Sequence, residues 1–371
     1  VVAESLPRSE PFAEGRKPFA EGRTVVVTGA AGAVGRRVLA RLEQDPGVAR
    51  VVAIDVADVI PGQPKTEQRR LDLALADAPA LLKSADTLIH LAFSSRTETN
   101  EPEAARVNVE TTSRLLDAAS GSGVDQVVVV SSATVYGAWA NNPVPLTEDA
   151  PLRPNPEFAY AVHKAQVERL VTDWADAHEE ASVAVLRPAL ALAEDGAGWI
   201  TRCLMGAAGI RAGDNDPPMQ FLHLDDLASA VEHVRRGRLS GPFNVAPEGW
   251  IPGDTARALV GDGPRLHLPD GAATRLAEWS WRMRLGPMPP GLVPYTQFPW
   301  VVASDRLRAS GWETRWSNEE AFVAGHAGSP WSMLSPKRRQ ELALGAAGVG
   351  AAAFGIATGL LVRKARRTWG L

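Results

Sequence analysis

An α/β chain built on a doubly wound parallel sheet is predicted by three observations. Short, continuously apolar runs recur along the first half of the chain. Stretches with helical periodicity separate them, and a glycine-rich turn joins the first run to the first helix. Strands that are apolar on both faces need helices above and below, which is the arrangement of a buried parallel sheet. The full expectation is a Rossmann-type sheet, a smaller C-terminal substrate lobe and an apolar C-terminal helix.

The elements follow in order. Residues 1–23 are polar and carry a short tandem repeat, Pro11-Phe12-Ala13-Glu14-Gly15-Arg16 and then Pro18-Phe19-Ala20-Glu21-Gly22-Arg23. They hold too few bulky apolar residues for a core, so a flexible leader is expected. Strands are predicted at 24–28, 51–56, 87–92, 126–131 and 183–187, and helices around 34–44, 104–120 and 158–177. These make residues 24–188 a dinucleotide-type domain, to which 220–245 return. After Arg187 the pattern loosens. Residues 206–218 are rich in Gly, Asp and Pro, and the following stretch is crowded with Trp and Pro. Residues 189–219 and 246–331 are therefore assigned to the substrate lobe, and 332–371 to a tail.

Composition bounds the function. At 371 residues and 45% hydrophobic, the chain can bury a sizeable core. A net charge of −4 gives no electrostatic footprint for nucleic acid. Cys203 is the single cysteine, which rules out an internal disulfide and a Cys-based metal site. No metal is expected, and a reducing cytoplasmic setting suits the catalytic part.

Gly29, Gly32 and Gly35 fall in the turn between the first strand and the first helix, within Thr28-Gly29-Ala30-Ala31-Gly32-Ala33-Val34-Gly35. Glycines there let a pyrophosphate approach backbone N–H groups at a helix N-terminus. Asp55 ends the second strand, where a carboxylate accepts hydrogen bonds from adenosine ribose hydroxyls and repels a 2′-phosphate. NAD is thus favoured over NADP, with Arg36 and Arg37 as the residues that could argue for a phosphate.

Tyr160 and Lys164 stand one helical turn apart, on a face shared with Val167, Val171 and Trp174. A phenol is a poor base at neutral pH, and a nearby ammonium favours the phenolate. Tyr160 can then take the proton of a substrate hydroxyl while hydride leaves the same carbon. Ser132 lies just past the fourth strand, at the edge where open α/β sheets bind ligands, and could hold the substrate oxygen. His223, Asp225 and Asp226 are read as the start of a helix beginning at Leu227, capped by the aspartates, and not as a metal site.

Over roughly residues 24–330 the chain resembles the extended short-chain dehydrogenase/reductases, the NAD-dependent epimerase/dehydratase family. The matching residues are 28–35, Asp55, Asp72-Leu73, His90-Leu91-Ala92, Asn108-Val109, 131–137, Tyr160 with Lys164, Arg187-Pro188 and 221–230. The resemblance implies Tyr160 as base, Lys164 as a second ligand of the nicotinamide ribose, and Ser132 as the group that orients substrate. It implies that Asp72 and Leu73 frame the adenine. Ala33, Val34, Leu91, Ala92, Asn108 and Pro188 complete the implied cofactor set.

Two departures narrow the reaction. Ala133 and Thr134 stand where sugar 4,6-dehydratases of the family carry an acid pair, so dehydration lacks its acid and base. Leu190 and Met219 stand where nucleotide-sugar epimerases carry Asn and Arg that grip a diphosphate. The expectation is an NAD-dependent oxidoreductase acting at a secondary alcohol or ketone, on an apolar or lipid-linked small molecule. The alternatives are a nucleotide-sugar 4-epimerase with retained NAD and a non-catalytic NAD-binding sensor or assembly subunit. A homodimer is expected. Residues 342–362 carry no charge and are flanked by Lys337-Arg338-Arg339 and Arg363-Lys364-Ala365-Arg366-Arg367. As a helix they would span about 30 Å, enough to anchor the chain in a bilayer.

Overall fold

The computed structural model describes residues 22–325, apart from 60–62, 95–99, 208–209, 213–214, 261–265, 270 and 286–287. The leader up to residue 21 and the apolar stretch 342–362 lie outside the described residues.

Seven strands form one wholly parallel sheet in the order β11-β6-β5-β4-β1-β2-β3. They are β1 Arg23–Thr28, β2 Val48–Asp55, β3 Thr66–Arg70, β4 Thr87–His90, β5 Gln126–Val130, β6 Ser182–Pro188 and, late in the chain, β11 Gly241–Val245. The chain builds outward from β1 to β3, returns to β4 on the other side of β1, and continues to β11. Adjacent strands β1 and β4 therefore flank the point where strand order reverses, the place where open α/β sheets bind ligands.

The continuous apolar runs have a direct cause. Successive side chains point to opposite faces, and both faces are covered. Val25, Val27, Val51, Ala53, Ile89, Val128 and Leu186 join a core with Val38 and Leu39 of α1 (Ala33–Gln44) and Val231 and Val234 of α7 (Leu224–Arg236). Val26, Ile54, Leu88, Val127, Val129 and Val185 join a second core on the other face. There they meet Leu82 of α2 (Ala78–Leu82), Leu115 and Leu116 of α4 (Thr111–Ser122), and Val167, Val171 and Trp174 of α5 (Ala159–Ala177). Before α4, helix α3 (Glu101–Ala105) runs through a π-helical turn, Arg106–Glu110, which places Asn108 in the interior.

The rest of the chain adds smaller elements. Strands β7 (Leu190–Ala193), β8 (Gly196–Ala197) and β10 (Phe221–His223) form a three-stranded sheet. Strands β9 (Ile210–Ala212) and β12 (Leu266–Leu268) pair with each other. Helices α6 (Trp199–Ala207), α8 (Gly253–Val260), α9 (Ala272–Arg282), α10 (Asp305–Ala309) and α11 (Asn318–Gly325) and the 3-10 turns Pro290–Thr296 surround them.

One expected boundary moves. Helix α7 starts at Leu224, not Leu227, and His223 is its cap: Nδ1 accepts the Asp225 N–H at 3.2 Å. Asp226 is turned inward, accepting the Arg315 and Trp316 N–H groups at 3.0 and 3.1 Å. The aspartates thus hold neighbouring chain instead of capping their own helix.

Candidate active site

A cleft of about 500 Å³ opens at the switch point between β1 and β4. One end is the glycine-rich turn. Gly29 has φ +69, and a Cβ there would lie 2.6 Å from the Ala92 nitrogen. A Cβ on Gly35 would lie 2.3 Å from the Gly29 carbonyl oxygen. Any side chain would push α1 away from the sheet, so the turn is tight by necessity. Gly32 precedes α1, and no described side chain caps that helix N-terminus. Its N–H groups and positive dipole end could hold a pyrophosphate.

Asp55 sits beside this turn, accepting the Ala31 N–H at 2.9 Å through one oxygen and the Ala57 N–H at 3.0 Å through the other. Its backbone oxygen accepts the Leu71 N–H at 2.9 Å, which brings Asp72 and Leu73 to the same end. The exposed Asp72 carboxylate accepts the Ala74 N–H at 2.9 Å. Arg36 and Arg37, the candidates for a 2′-phosphate, are engaged elsewhere. Arg37 binds Asp195 at 2.9 Å and Asp225 at 2.7 Å, and Arg36 donates to the Ala31 carbonyl at 2.6 Å. The donor set fits NAD.

The other end of the cleft holds Ser132, Tyr160 and Lys164, the candidate reacting groups. Ser132 caps the 3-10 turn Ala133–Tyr136, its Oγ accepting the Thr134 N–H at 3.2 Å and the Thr134 hydroxyl at 3.0 Å. It lines the cleft together with Tyr160. Tyr160 is walled by three rings, with centroids at 5.1 Å for Phe93, 5.7 Å for Phe158 and 5.9 Å for Trp199. Lys164 donates from Nζ to the Val130 carbonyl at 2.8 Å and lies over the Phe93 ring at 3.9 Å.

Electrostatics here depart from the sequence expectation. Burial pushes the Tyr160 phenol up to about 12, with the Ser132 hydrogen bond pulling the other way. Burial also brings Lys164 down to about 7, opposed by the negative Glu168 one turn along α5. Desolvation is the largest cause for both groups. The phenol therefore needs a further positive charge before it can act as a base, and NAD, when bound, supplies both that charge and a hydride acceptor.

The cleft brings together Gly29, Gly32, Ala33, Val34, Gly35, Leu91, Ser132, Tyr160, Lys164 and Pro188. Asp55, Asp72, Leu73, Ala92 and Asn108 lie outside its lining. Ala92 abuts Gly29. Asn108 is buried and brackets Ser94, accepting its N–H at 2.6 Å and donating to its carbonyl at 3.3 Å. It shapes the loop after β4 from behind. Leu190 lines the cleft, whereas Met219 bridges to Ile251. Asp195, Trp199, Arg202 and Trp300 also line it and carried no readable signal, because each comes from the irregular part of the chain. Among the described residues no cluster of three His, Cys, Asp or Glu could hold a metal.

The fold and this cleft define a dinucleotide-dependent enzyme of the extended short-chain dehydrogenase/reductase class. Residues 25–246 match the NAD dependent epimerase/dehydratase family, and the chain belongs to it. It is an enzyme of that family, and its cofactor is NAD. The UDP-glucose 4-epimerase of Azospirillum brasilense is 30% identical over 84% of this chain and 97% of its own length. The dTDP-glucose 4,6-dehydratase of Streptomyces griseus is 30% identical over 60% of this chain and 72% of its own. Among solved structures, MoeE5 in complex with UDP-glucuronic acid and NAD aligns with TM-score 0.63 at 25% identity, covering 81% of this chain and 97% of that one.

Proposed function

We propose that the enzyme interconverts a secondary alcohol and a ketone with Ser132, Tyr160 and Lys164 as its reacting set. The observation that carries this is the meeting of Ser132, Tyr160 and Lys164 in one cleft that starts at an uncapped helix N-terminus. In the oxidative direction Tyr160 takes the hydroxyl proton at its phenolic oxygen as the C–H hydride departs. Ser132 holds the substrate oxygen, and Lys164 moves from the Val130 carbonyl towards the cofactor ribose. The Thr134 hydroxyl donates back to Ser132 Oγ, and a hydroxyl there offers no acid for dehydration.

The substrate end supports an apolar or lipid-linked ligand. Phe93, Leu190, Trp199, Ile200 and Trp300 line it, with Arg202 as its cation. The test is Tyr160→Phe. NAD binding should persist while turnover falls by about a thousandfold or more; near-normal turnover would mean another group is the base.

A second reading, 4-epimerisation of a nucleotide sugar with retained NAD, is favoured by the β7–β8 turn. Asp195 there is tied to Arg36 and Arg37 of α1, beside the pyrophosphate end. Saturable micromolar binding of a UDP- or dTDP-sugar would favour this reading over the first.

Among the described residues no helix is long and apolar enough to cross a membrane. We assign the anchoring role to 342–362, on its lack of charge and its basic flanks. Full-length protein should then resist carbonate extraction, and a chain ending at residue 335 should not. Extraction of both forms alike would end that assignment.

A further inference from the structure

We propose that α9 is a second, independent lipid contact: an interfacial helix that lays one face on an anionic membrane. The proposal stands on the exposed face of this helix and on no part of the catalytic reading.

Helix α9 is amphipathic in an unusual sense. Its inner face, Ala273 and Ala277, packs on Val293 with Leu268 and Met288. Its outer face is also apolar. Leu276 is 42% exposed, Trp279 55% and Met283 56%, spaced three and four residues apart so that they form one stripe. Leu285, 69% exposed, extends the stripe past the helix end. Isolated exposed apolar residues are ordinary, but four large ones in one band mark a contact surface.

The helix end displays this band deliberately. The Leu285 N–H donates to the Ser280 carbonyl at 2.8 Å and the Arg284 N–H to the Trp281 carbonyl at 3.0 Å, a Schellman closure. The left-handed position, usually glycine, is Arg284 at φ +56. That position puts an exposed cation next to Leu285 at the end of the apolar stripe.

Charge selects the occupant. Arg275, Arg282 and Arg284 are exposed along the stripe, against Glu278 alone. Among the described residues none of the three arginines has an ion-pair partner. A second copy related by a dyad would set arginine against arginine. The stretch 342–362 is itself flanked by basic clusters, so its ends would be repelled by the same rim. An anionic headgroup layer satisfies both parts, taking the apolar side chains at the acyl boundary and the guanidinium groups among phosphates. Trp279 suits that boundary, with an apolar body and a polar N–H. Helix α9 also rests on the turns Pro290–Thr296, whose Tyr295 packs on Phe158 of the active-site wall. The contact would thus lie one layer from the substrate end of the cleft.

The experiment is hydrogen–deuterium exchange of the full chain, read by peptide, with phosphatidylcholine vesicles and with vesicles containing phosphatidylglycerol. Exchange across 276–285 should slow with the anionic vesicles and not with the neutral ones. In Leu276→Ser/Trp279→Ser/Met283→Ser this protection should disappear while exchange in the sheet is unchanged. In Arg275→Gln/Arg282→Gln the lipid concentration giving half-protection should rise roughly 25-fold, at about fivefold per arginine. Peptide resolution separates this from membrane capture by 342–362. Unchanged exchange across 276–285 on anionic vesicles would overturn the proposal. So would protection without lipid that grows with protein concentration, which indicates a second copy. Protection without lipid that vanishes on deleting 342–362 would also overturn it, since the chain's own tail would then cover the helix.

Discussion

His90 shows how much chemistry one residue can hide. From the sequence it is a strand-end residue near the cofactor. In the structure it is buried between Thr28, 2.7 Å from Nδ1, and Thr112, 3.0 Å from Nε2. The partners fix its tautomer. The Thr112 hydroxyl donates to the Asn108 carbonyl at 2.6 Å, so it must accept from Nε2–H. The Thr28 hydroxyl accepts the Ala92 N–H at 3.3 Å and is free to donate to Nδ1. A second ring proton would have to share the Thr28 oxygen with the Ala92 N–H, and burial, helped by the Lys164 charge, depresses His90 to about 3. The unfolded chain takes a proton near pH 6.5 that the folded protein refuses. This stability is therefore complete above pH 6.5 and is lost as pH falls towards 3, by up to about 5 kcal/mol. His90→Gln should remove that part of the acid limb, at a cost of about 1–3 kcal/mol at pH 7 from unpaired threonines. Urea unfolding at a series of pH values checks it; parallel acid limbs for both proteins would refute the assignment. The threonines stand 62 and 22 residues from His90, which is why sequence reading found the histidine and not its wiring.

At the scale of elements, legibility followed burial. Strands β1, β2, β4, β5 and β6 were readable because both their faces are apolar. Strand β3, Thr66-Glu67-Gln68-Arg69-Arg70, was missed: it is the sheet's edge, where charge blunts unwanted pairing and erases the apolar signal. The β7–β8 turn was missed for a different reason. Its two-residue Glu194-Asp195 tip has no pattern of its own, and its role comes from α1, 158 residues earlier. Asp195 meets Arg37 at 2.9 Å and Arg36 at 3.5 Å, which holds the carboxylate below its usual range, mainly through the Arg37 hydrogen bond. The turn faces the glycine-rich loop across the cleft. A turn so placed would hold back a dinucleotide leaving the cleft. Since Asp195 is about half exposed, the contact is worth only about 1 kcal/mol. Asp195→Ala should therefore speed NAD dissociation about fivefold, measured by stopped-flow displacement with NADH. An unchanged rate would show that the turn does not gate the cofactor.

Across the whole molecule, one buried polar network joins the sheet to the last third of the chain. Arg187 on β6 binds Glu168 of α5 at 2.7 and 2.9 Å and donates to the Tyr136 hydroxyl at 2.8 Å. The Tyr136 hydroxyl donates to Asn244 Oδ1 of β11 at 2.8 Å, and burial pushes its phenol up to about 12. Asn244 donates to the Leu146 and Ala303 carbonyls at 3.3 and 3.0 Å, where residues 301–303 pair beside Leu146. The sequence offered Arg187-Pro188 as one motif among several, and nothing in it singled out Glu168. Nothing local says that the two meet, because a guanidinium without its partner looks like any surface arginine. The energetics follow from burial: Arg187 and Glu168 have side chains 7% and 3% exposed. Removing one partner strands a charge in the interior, at about 3–5 kcal/mol, whereas replacing both leaves no stranded charge. Arg187→Met and Glu168→Leu should each lower stability by about that amount. The double variant should lose clearly less than their sum. Urea titration followed by tryptophan fluorescence and by far-ultraviolet circular dichroism gives both numbers. Since the network spans the sheet and the later chain, the two probes should move together in every variant. Losses of less than about 1 kcal/mol in the single variants, or full additivity in the double, would show that the pair does not hold the molecule together.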